Sequence, residues 1–310
     1  MLNESTVGVV LMTYGSPSTL DEIPTYLQNV RGGNPASEAL IAEFRRRYGL
    51  IGGSPLLRIT REQAAALQEE LNGHYGSRFR VVAGMRFAPP YIADVIPEAV
   101  FGAQQLIGVI MSPQYSPIIM SGYVQALESA FVCLQRNDLE LRIARAWHLQ
   151  PYFIQALAER VQQALMRFPL EVREQVPVLL TAHSMPKRVV EKEPDYINSL
   201  KETAAAVAEL AGLPPERWMF CYQSAGHTPE EWLKPDFADV MPELRAAGHT
   251  HVLIAPVQFL ADHLEILYDI EIAAREQAEV AGMQFARTES LNTSPLFIKA
   301  LAAVVRETMR

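Results

Sequence analysis

Three groups of residues in this 310-residue chain combine side-chain type and setting in a way that could support chemistry. His183 follows the apolar run Val176 to Thr181, so its ring projects just beyond the end of a buried strand. An imidazole, with an ordinary pKa of ~6.5, can take up and release protons near neutrality. At a strand end it serves either as such a group or as a turn residue. Further along, Asp262, Glu265, Asp269 and Glu276 stand at i, i+3, i+7 and i+14, one face of a helix at 3.6 residues per turn. Like charges stacked in this way oppose one another, so the stripe is either a solvated face or a track for a hard cation. The third group is Arg45-Arg46-Arg47-Tyr48 leading into Gly52-Gly53-Ser54-Pro55. It lacks the lysine and glycine spacing of a phosphate loop, and no dinucleotide fingerprint occurs elsewhere, so neither ATP nor NAD is implied. Arginines on a helix end can address a carboxylate or simply complement the helix dipole.

These groups need elements to hold them. Short Val, Ile and Leu runs at Val7 to Met12, Phe79 to Ala83, Leu106 to Met111, Val176 to Thr181, Trp218 to Tyr222 and His251 to Pro256 predict buried strands. Between them, helical spacing predicts helices over Glu38 to Tyr48, Thr60 to Leu71, Gly122 to Gln135, Pro151 to Met166, Asp195 to Ala211, Asp236 to Ala247 and His263 to Val280, with a last helix over Ser294 to Met309. The alternation predicts an α/β fold with mostly parallel sheets. Thr60 with Gln63 has the spacing of an N-terminal capping box, and Gly212 before Leu213-Pro214-Pro215 marks a helix stop. An internal echo pairs Val9 to Pro17 with Val178 to Pro186, since each runs from an apolar strand to a polar ring, then Ser and Pro. It places Tyr14 and His183 at equivalent strand ends, where open α/β sheets bind ligands. The division between halves falls near residues 140 to 150.

Composition narrows the field. Hydrophobic residues at 49% and charged residues at 20% describe a folded globular chain. A net charge of −8 argues against a partner that is nucleic acid. Two cysteines, Cys133 and Cys221, are too few for a disulfide framework, a thiolate zinc site or an iron–sulfur cluster. The start Met1 to Thr6 lacks the basic region of a signal peptide, and apolar runs stay far below the ~18 residues of a membrane span. The expectation is a soluble cytoplasmic protein without a transmembrane segment.

Taken together, Leu11 to Pro17, Arg47-Tyr48 with Ile51 to Leu56, Thr181 to Pro186, Tyr222-Gln223-Ser224, Trp232 to Asp236 and Asp262 to Glu265 resemble the ferrochelatase family, in the same order and over nearly the whole chain. The resemblance implies two Rossmann-like domains, 1-145 and 146-310, with parallel sheets and a porphyrin cleft between them, the last helix being able to pack back on the first domain. It implies a lyase that inserts Fe2+ into a porphyrin in haem biosynthesis without ATP, Fe2+ being a substrate and no cofactor being required. His183 is implied as the group that deprotonates the pyrroles and Glu265 as its partner, with His183, Glu265 and Asp269 as metal contacts. Tyr14, Arg31, Arg47, Tyr48, Ser54 and Tyr123 are implied as porphyrin contacts, the arginines and hydroxyls addressing propionates.

Within the family, tyrosine at the position of Tyr14 resembles the short bacterial enzymes acting on coproporphyrin III, whereas protoporphyrin enzymes usually have Leu or Met there. The expected activity is therefore coproporphyrin III ferrochelatase. The alternatives are a protoporphyrin IX ferrochelatase, a cobalt or nickel chelatase, which would typically replace Glu265 by a second histidine, and a non-catalytic haem carrier. A monomer is expected, with transient contact to the preceding or following haem-pathway enzyme. Two departures from the pattern stand out: Gly52-Gly53-Ser54-Pro55 is one residue shorter than is common in relatives, and Ala273 stands one turn beyond Asp269, where relatives often carry another carboxylate. His227, Trp232 and Met85-Arg86-Phe87 have no assigned role and read as packing or cleft-wall residues.

Overall fold

The computed structural model describes residues 6–74, 78–226 and 230–310. Two four-stranded parallel sheets form its frame. The first contains β1 (Thr6–Thr13), β2 (Arg78–Met85), β3 (Ala103–Ile110) and β4 (Glu140–Ala144) in the order β2-β1-β3-β4. The second contains β5 (Val178–His183), β6 (Trp218–Gln223), β7 (His251–Pro256) and β8 (Gln284–Arg287) in the order β6-β5-β7-β8. The two orders are the same, so the echo around Tyr14 and His183 reflects equivalent topology: both residues sit at the carboxyl ends of interior strands.

Parallel strands need covering on both faces, and β1 shows how the sequence meets that demand. Val7, Val9 and Leu11 enter one apolar cluster while Val10 and Met12 enter another on the opposite face. All six runs expected as strands are strands. The unexpected ones, β4 and β8, are edge strands with half-exposed residues and too few apolar positions to form a run.

In the first half the helices are α1 (Ile23–Val30), α2 (Glu38–Leu50), α3 (Leu56–His74), α4 (Ile92–Ala99) and α5 (Pro117–Cys133). The second half has α6 (Pro151–Leu165), α9 (Pro194–Ala211), α10 (Phe237–Ala246), α11 (Arg275–Val280) and α12 (Pro295–Thr308), with two single turns, α7 (Leu170–Arg173) and α8 (Lys187–Val190). Gly212 caps α9 with φ 74°, as a helix stop of this type requires.

The capping box expected at Thr60 is absent. Helix α3 begins four residues earlier, and Thr60 is fully buried with its hydroxyl donating to the Leu56 carbonyl. Gln63 instead donates to the Asn292 carbonyl, tying α3 to the segment before α12.

The largest apolar cluster crosses between the halves. Phe297 and Leu301 of α12 join Leu67 and Leu71 of α3 and Phe153 and Leu157 of α6. The C-terminal helix therefore packs against the first half as well as the second. Polar ties reinforce this seam: the Glu193 carboxylate accepts from the Ile118 N–H at 2.5 Å and from the Ser116 hydroxyl, where a carboxylate favourably meets the N-terminus of α5.

The segment expected as one α-helix from His263 to Val280 is a π-helix over Glu265–Ala274 followed by α11. This overturns the single carboxylate stripe. A π-helix bonds i to i+5 and holds about 4.4 residues per turn, so positions diverge from the 3.6 register over two turns. Glu265 and Asp269 stay together, whereas Glu276 is exposed and lines a surface groove with Arg245 and Met241. Asp262 precedes the helix and is held by Ser290 and Asn292 at 2.8 and 2.9 Å.

Candidate active site

His183 ends β5 with its ring partly exposed. Its Nδ1 is hydrogen-bonded to the Ser184 carbonyl, which can only accept, so the Nδ1 atom carries the hydrogen and the lone pair lies on Nε2. That Nε2 lies 3.8 Å from Oε2 of Glu265, the first residue of the π-helix. On the other side of the same oxygen, Nε2 of His263 lies at 3.9 Å. Oε2 is buried and has no hydrogen-bond partner. Leaving a buried acceptor unpaired costs on the order of 1–3 kcal/mol, so the arrangement is poised to receive a proton or a cation. Burial pushes the His263 imidazole below its ordinary pKa, against the pull of Glu265 and Asp262, which favours the neutral ring.

One turn along, burial pushes the Asp269 carboxyl up to about 6; the charge of Glu265 adds to this, while the Ser224 hydroxyl, Arg47 and His183 act in the opposite direction. Arg47 lies 3.6 Å from Asp269 and 2.7 Å from Glu43, with its guanidinium over the Tyr268 ring at 4.9 Å. It thus bridges α2 of the first half to the π-helix of the second. Among the described residues no group of three or more His, Cys, Asp or Glu side chains is arranged to hold a metal ion.

The first half presents phenols to this cluster. Tyr14, 44% exposed at the end of β1, meets Phe87 at a tilt of 58° with ring centroids 4.6 Å apart. Partial burial and the charge of Glu265 push its pKa up to about 12. Tyr48 is buried, shares a hydrogen bond of 3.1 Å with Ser16, and is likewise pushed up to about 12, chiefly by burial. Leu264, next to Glu265, packs with Tyr48 and Phe87, and the charge of Glu265 acts on both phenols, so the start of the π-helix lies near the first half's aromatic cluster.

The remaining expected contacts are more dispersed. Tyr123 is buried in α5 under the Arg86 guanidinium, 5.2 Å from its ring centroid. Arg31 is exposed just past the end of α1 and forms no ion pair among the described residues. Ser54 accepts from the Leu56 N–H at 3.3 Å in the turn entering α3. That turn carries Gly52 and Gly53 at φ 71° and 91°, left-handed values that make glycine the natural choice at both positions.

Sequence reasoning missed Arg86 and His263 as members of the site. Arg86 lies over Phe87 at 4.6 Å and within electrostatic reach of Tyr14, and a Cβ on Gly122 would fall 1.9 Å from its Nη2. Its place just beyond β2, in Met85-Arg86-Phe87, was the available signal. Trp232 lies near His183, their ring centroids 6.4 Å apart. His227 lies outside the described residues.

The sequence profile of the ferrochelatase family matches residues 6–309. The chain belongs to the ferrochelatase family. Among curated relatives, a ferrochelatase of Deinococcus radiodurans is 38% identical, covering 98% of this chain and 96% of that protein. A coproporphyrin III ferrochelatase of Geobacillus kaustophilus is 35% identical over 97% and 96% of the two chains. Among solved structures, SirB from Bacillus subtilis with Fe3+ superposes with a TM-score of 0.59 at 15% identity, covering 98% and 95%. CbiX, described as the terminal enzyme of sirohaem biosynthesis in denitrifying bacteria, gives 0.54 at 14%, covering 98% and 100%. These likenesses establish the two-sheet chelatase fold. Ferrochelatases are metal-inserting porphyrin chelatases, classed as lyases, and their substrates are a porphyrin and Fe2+. Among the described residues no helix is long and apolar enough to cross a membrane.

Proposed function

We propose that this protein is a coproporphyrin III ferrochelatase in which His183 removes the pyrrole protons and Glu265 supports it. The observation that carries the reading is the His183 and Glu265 pair beyond the carboxyl end of β5, with Tyr14 at the equivalent end of β1 and within reach of the Glu265 charge. A planar porphyrin holds two N–H hydrogens inside its ring, and both must leave as the metal enters. With Nδ1–H fixed on Ser184, Nε2 is the basic nitrogen, and the imidazolium formed there gains an ion pair with Glu265 that the neutral ring lacks. Stabilisation that appears only as the proton arrives lowers the barrier instead of tightening ground-state binding.

In this reading His183 and Glu265 also meet the entering Fe2+, since imidazole and carboxylate are both suitable ligands, with Asp269 behind them on the supply side. Tyr14 faces the opposite side of the macrocycle. Arg31, Arg47, Tyr48, Ser54 and Tyr123 address the propionates, Arg47 exchanging Glu43 or Asp269 for a substrate carboxylate. No resident cofactor takes part. Tyr14 and the relatives named for coproporphyrin III support that substrate over protoporphyrin IX. The deciding experiment is anaerobic Fe2+ insertion with both porphyrins at equal concentration. Faster turnover of coproporphyrin III is expected; preference for protoporphyrin IX would reassign the substrate, and stoichiometric binding without turnover would leave a carrier.

A further inference from the structure

Gln258 touches no reacting group, yet both ends of its carboxamide are engaged at the site. Oε1 accepts from the His183 backbone N–H at 2.8 Å, and Nε2 donates to the Tyr196 hydroxyl at 2.5 Å. Register between β5 and β7 runs as far as Thr181 opposite Pro256, and one more backbone bond follows, from the Val257 N–H to the Thr181 carbonyl at 2.9 Å. The next donor on that edge of β5 is the His183 N–H, which is taken by a side chain where a parallel ladder would use a carbonyl. Tyr196 is buried on α9, so one amide ties together the ends of two strands and a helix. The groups facing His183 from neighbouring elements are Glu265, His263 and Asp269, with the Trp232 ring alongside.

We propose that Gln258 is a positioning residue for His183, holding its peptide so that Nδ1–H stays on the Ser184 carbonyl and the Nε2 lone pair faces Glu265. The inference rests on the role given to His183 above. Its physical basis is that an acid–base group loses effectiveness when small displacements misalign it, and here the backbone anchor is the amide of Gln258. Glutamate at this position keeps an acceptor for the His183 N–H and can accept from the Tyr196 hydroxyl, whereas leucine can do neither.

The test compares Gln258→Leu and Gln258→Glu with the intact protein. In Fe2+ insertion, Gln258→Leu should lower kcat by about 10-fold with porphyrin KM within about 2-fold, while Gln258→Glu should keep kcat within about 3-fold and shift the acid limb of its pH profile upward. Independently of turnover, nitrogen NMR of labelled histidine should show the Nδ1–H tautomer of His183 in the intact protein and in Gln258→Glu, and a tautomer mixture in Gln258→Leu. Unchanged kcat and an unmixed tautomer in Gln258→Leu would overturn the proposal. If Gln258→Leu does not fold, Tyr196→Phe, which removes only the hydroxyl steadying the amide, should show the mixture to a smaller extent; an unmixed tautomer there also overturns it. Absence of iron insertion by the intact protein would sink the enzymatic reading, and the tautomer comparison would still decide the role of Gln258.

Discussion

Nε2 of His183 and Oε2 of Glu265 are 3.8 Å apart, too far for a hydrogen bond and close enough for an ion pair once the imidazole is charged. The contact is therefore worth more after proton uptake than before it. Glu265→Gln should lower kcat for metallation by about 100-fold while porphyrin KM changes by less than about 3-fold. His183→Ala should abolish insertion and leave porphyrin binding largely intact by spectral titration. Turnover near wild-type in either variant would remove that residue from the proton step.

Tyr14 is the ring at the end of β1 that feels the charge of Glu265, and its elevated pKa keeps it a neutral phenol through the physiological range. Tyr14→Met should weaken or alter binding of iron coproporphyrin, read as a changed absorption spectrum. An identical spectrum would show that the phenol does not contact the iron side of the product.

Asp269 makes stability depend on pH in a defined direction. The folded carboxyl keeps its proton up to about pH 6, whereas the unfolded chain releases it near the ordinary value of 3.8. The native state then binds more protons across that window, so stability falls as pH rises from about 4 to about 6, by at most ~3 kcal/mol. Asp269→Asn should raise the melting temperature relative to wild-type at pH 8, and the difference should fade by pH 4. A constant difference at both pH values would mean that the carboxyl is not titrating there.

Phe297 is fully buried in α12, with ring centroids 6.4 Å from Trp147 and 6.5 Å from Phe153. Truncation to alanine should cost about 3–5 kcal/mol in urea unfolding, because the cavity opens in the cluster shared by both halves. Porphyrin KM of the folded protein should stay unchanged. A loss under about 1 kcal/mol would mean that the shared core refills easily.

Six strands, the edge strands β2 and β6 among them, were legible because each carries a run of mostly apolar residues, as in Val9 to Met12. The other two edge strands, β4 and β8, break their apolar residues with Glu140 and Arg142 or bound them with Gln284 and Arg287, and five or four residues are too few to stand out. The π-helix was invisible because ten residues cannot distinguish a period of 4.4 from 3.6 when Ile, Leu and Ala fill most positions. Thr60 misled because a buried hydroxyl bonding back one turn has the same sequence signature as a cap. At the site, His183 and Tyr14 were placed by strand ends, whereas Gln258 and Arg86 act through single long side chains that leave no spacing to read.

The seam between the halves is made of two materials. Around Phe297 it is an apolar keel, while Glu193 against the N-terminus of α5 and Arg47 beside Asp269 are charged clasps. Added salt screens clasps of this kind, and salts such as sulfate reinforce the burial of a keel. Breathing of the two halves against each other and melting of the molecule thus answer to different properties of the solvent, and one can change without the other.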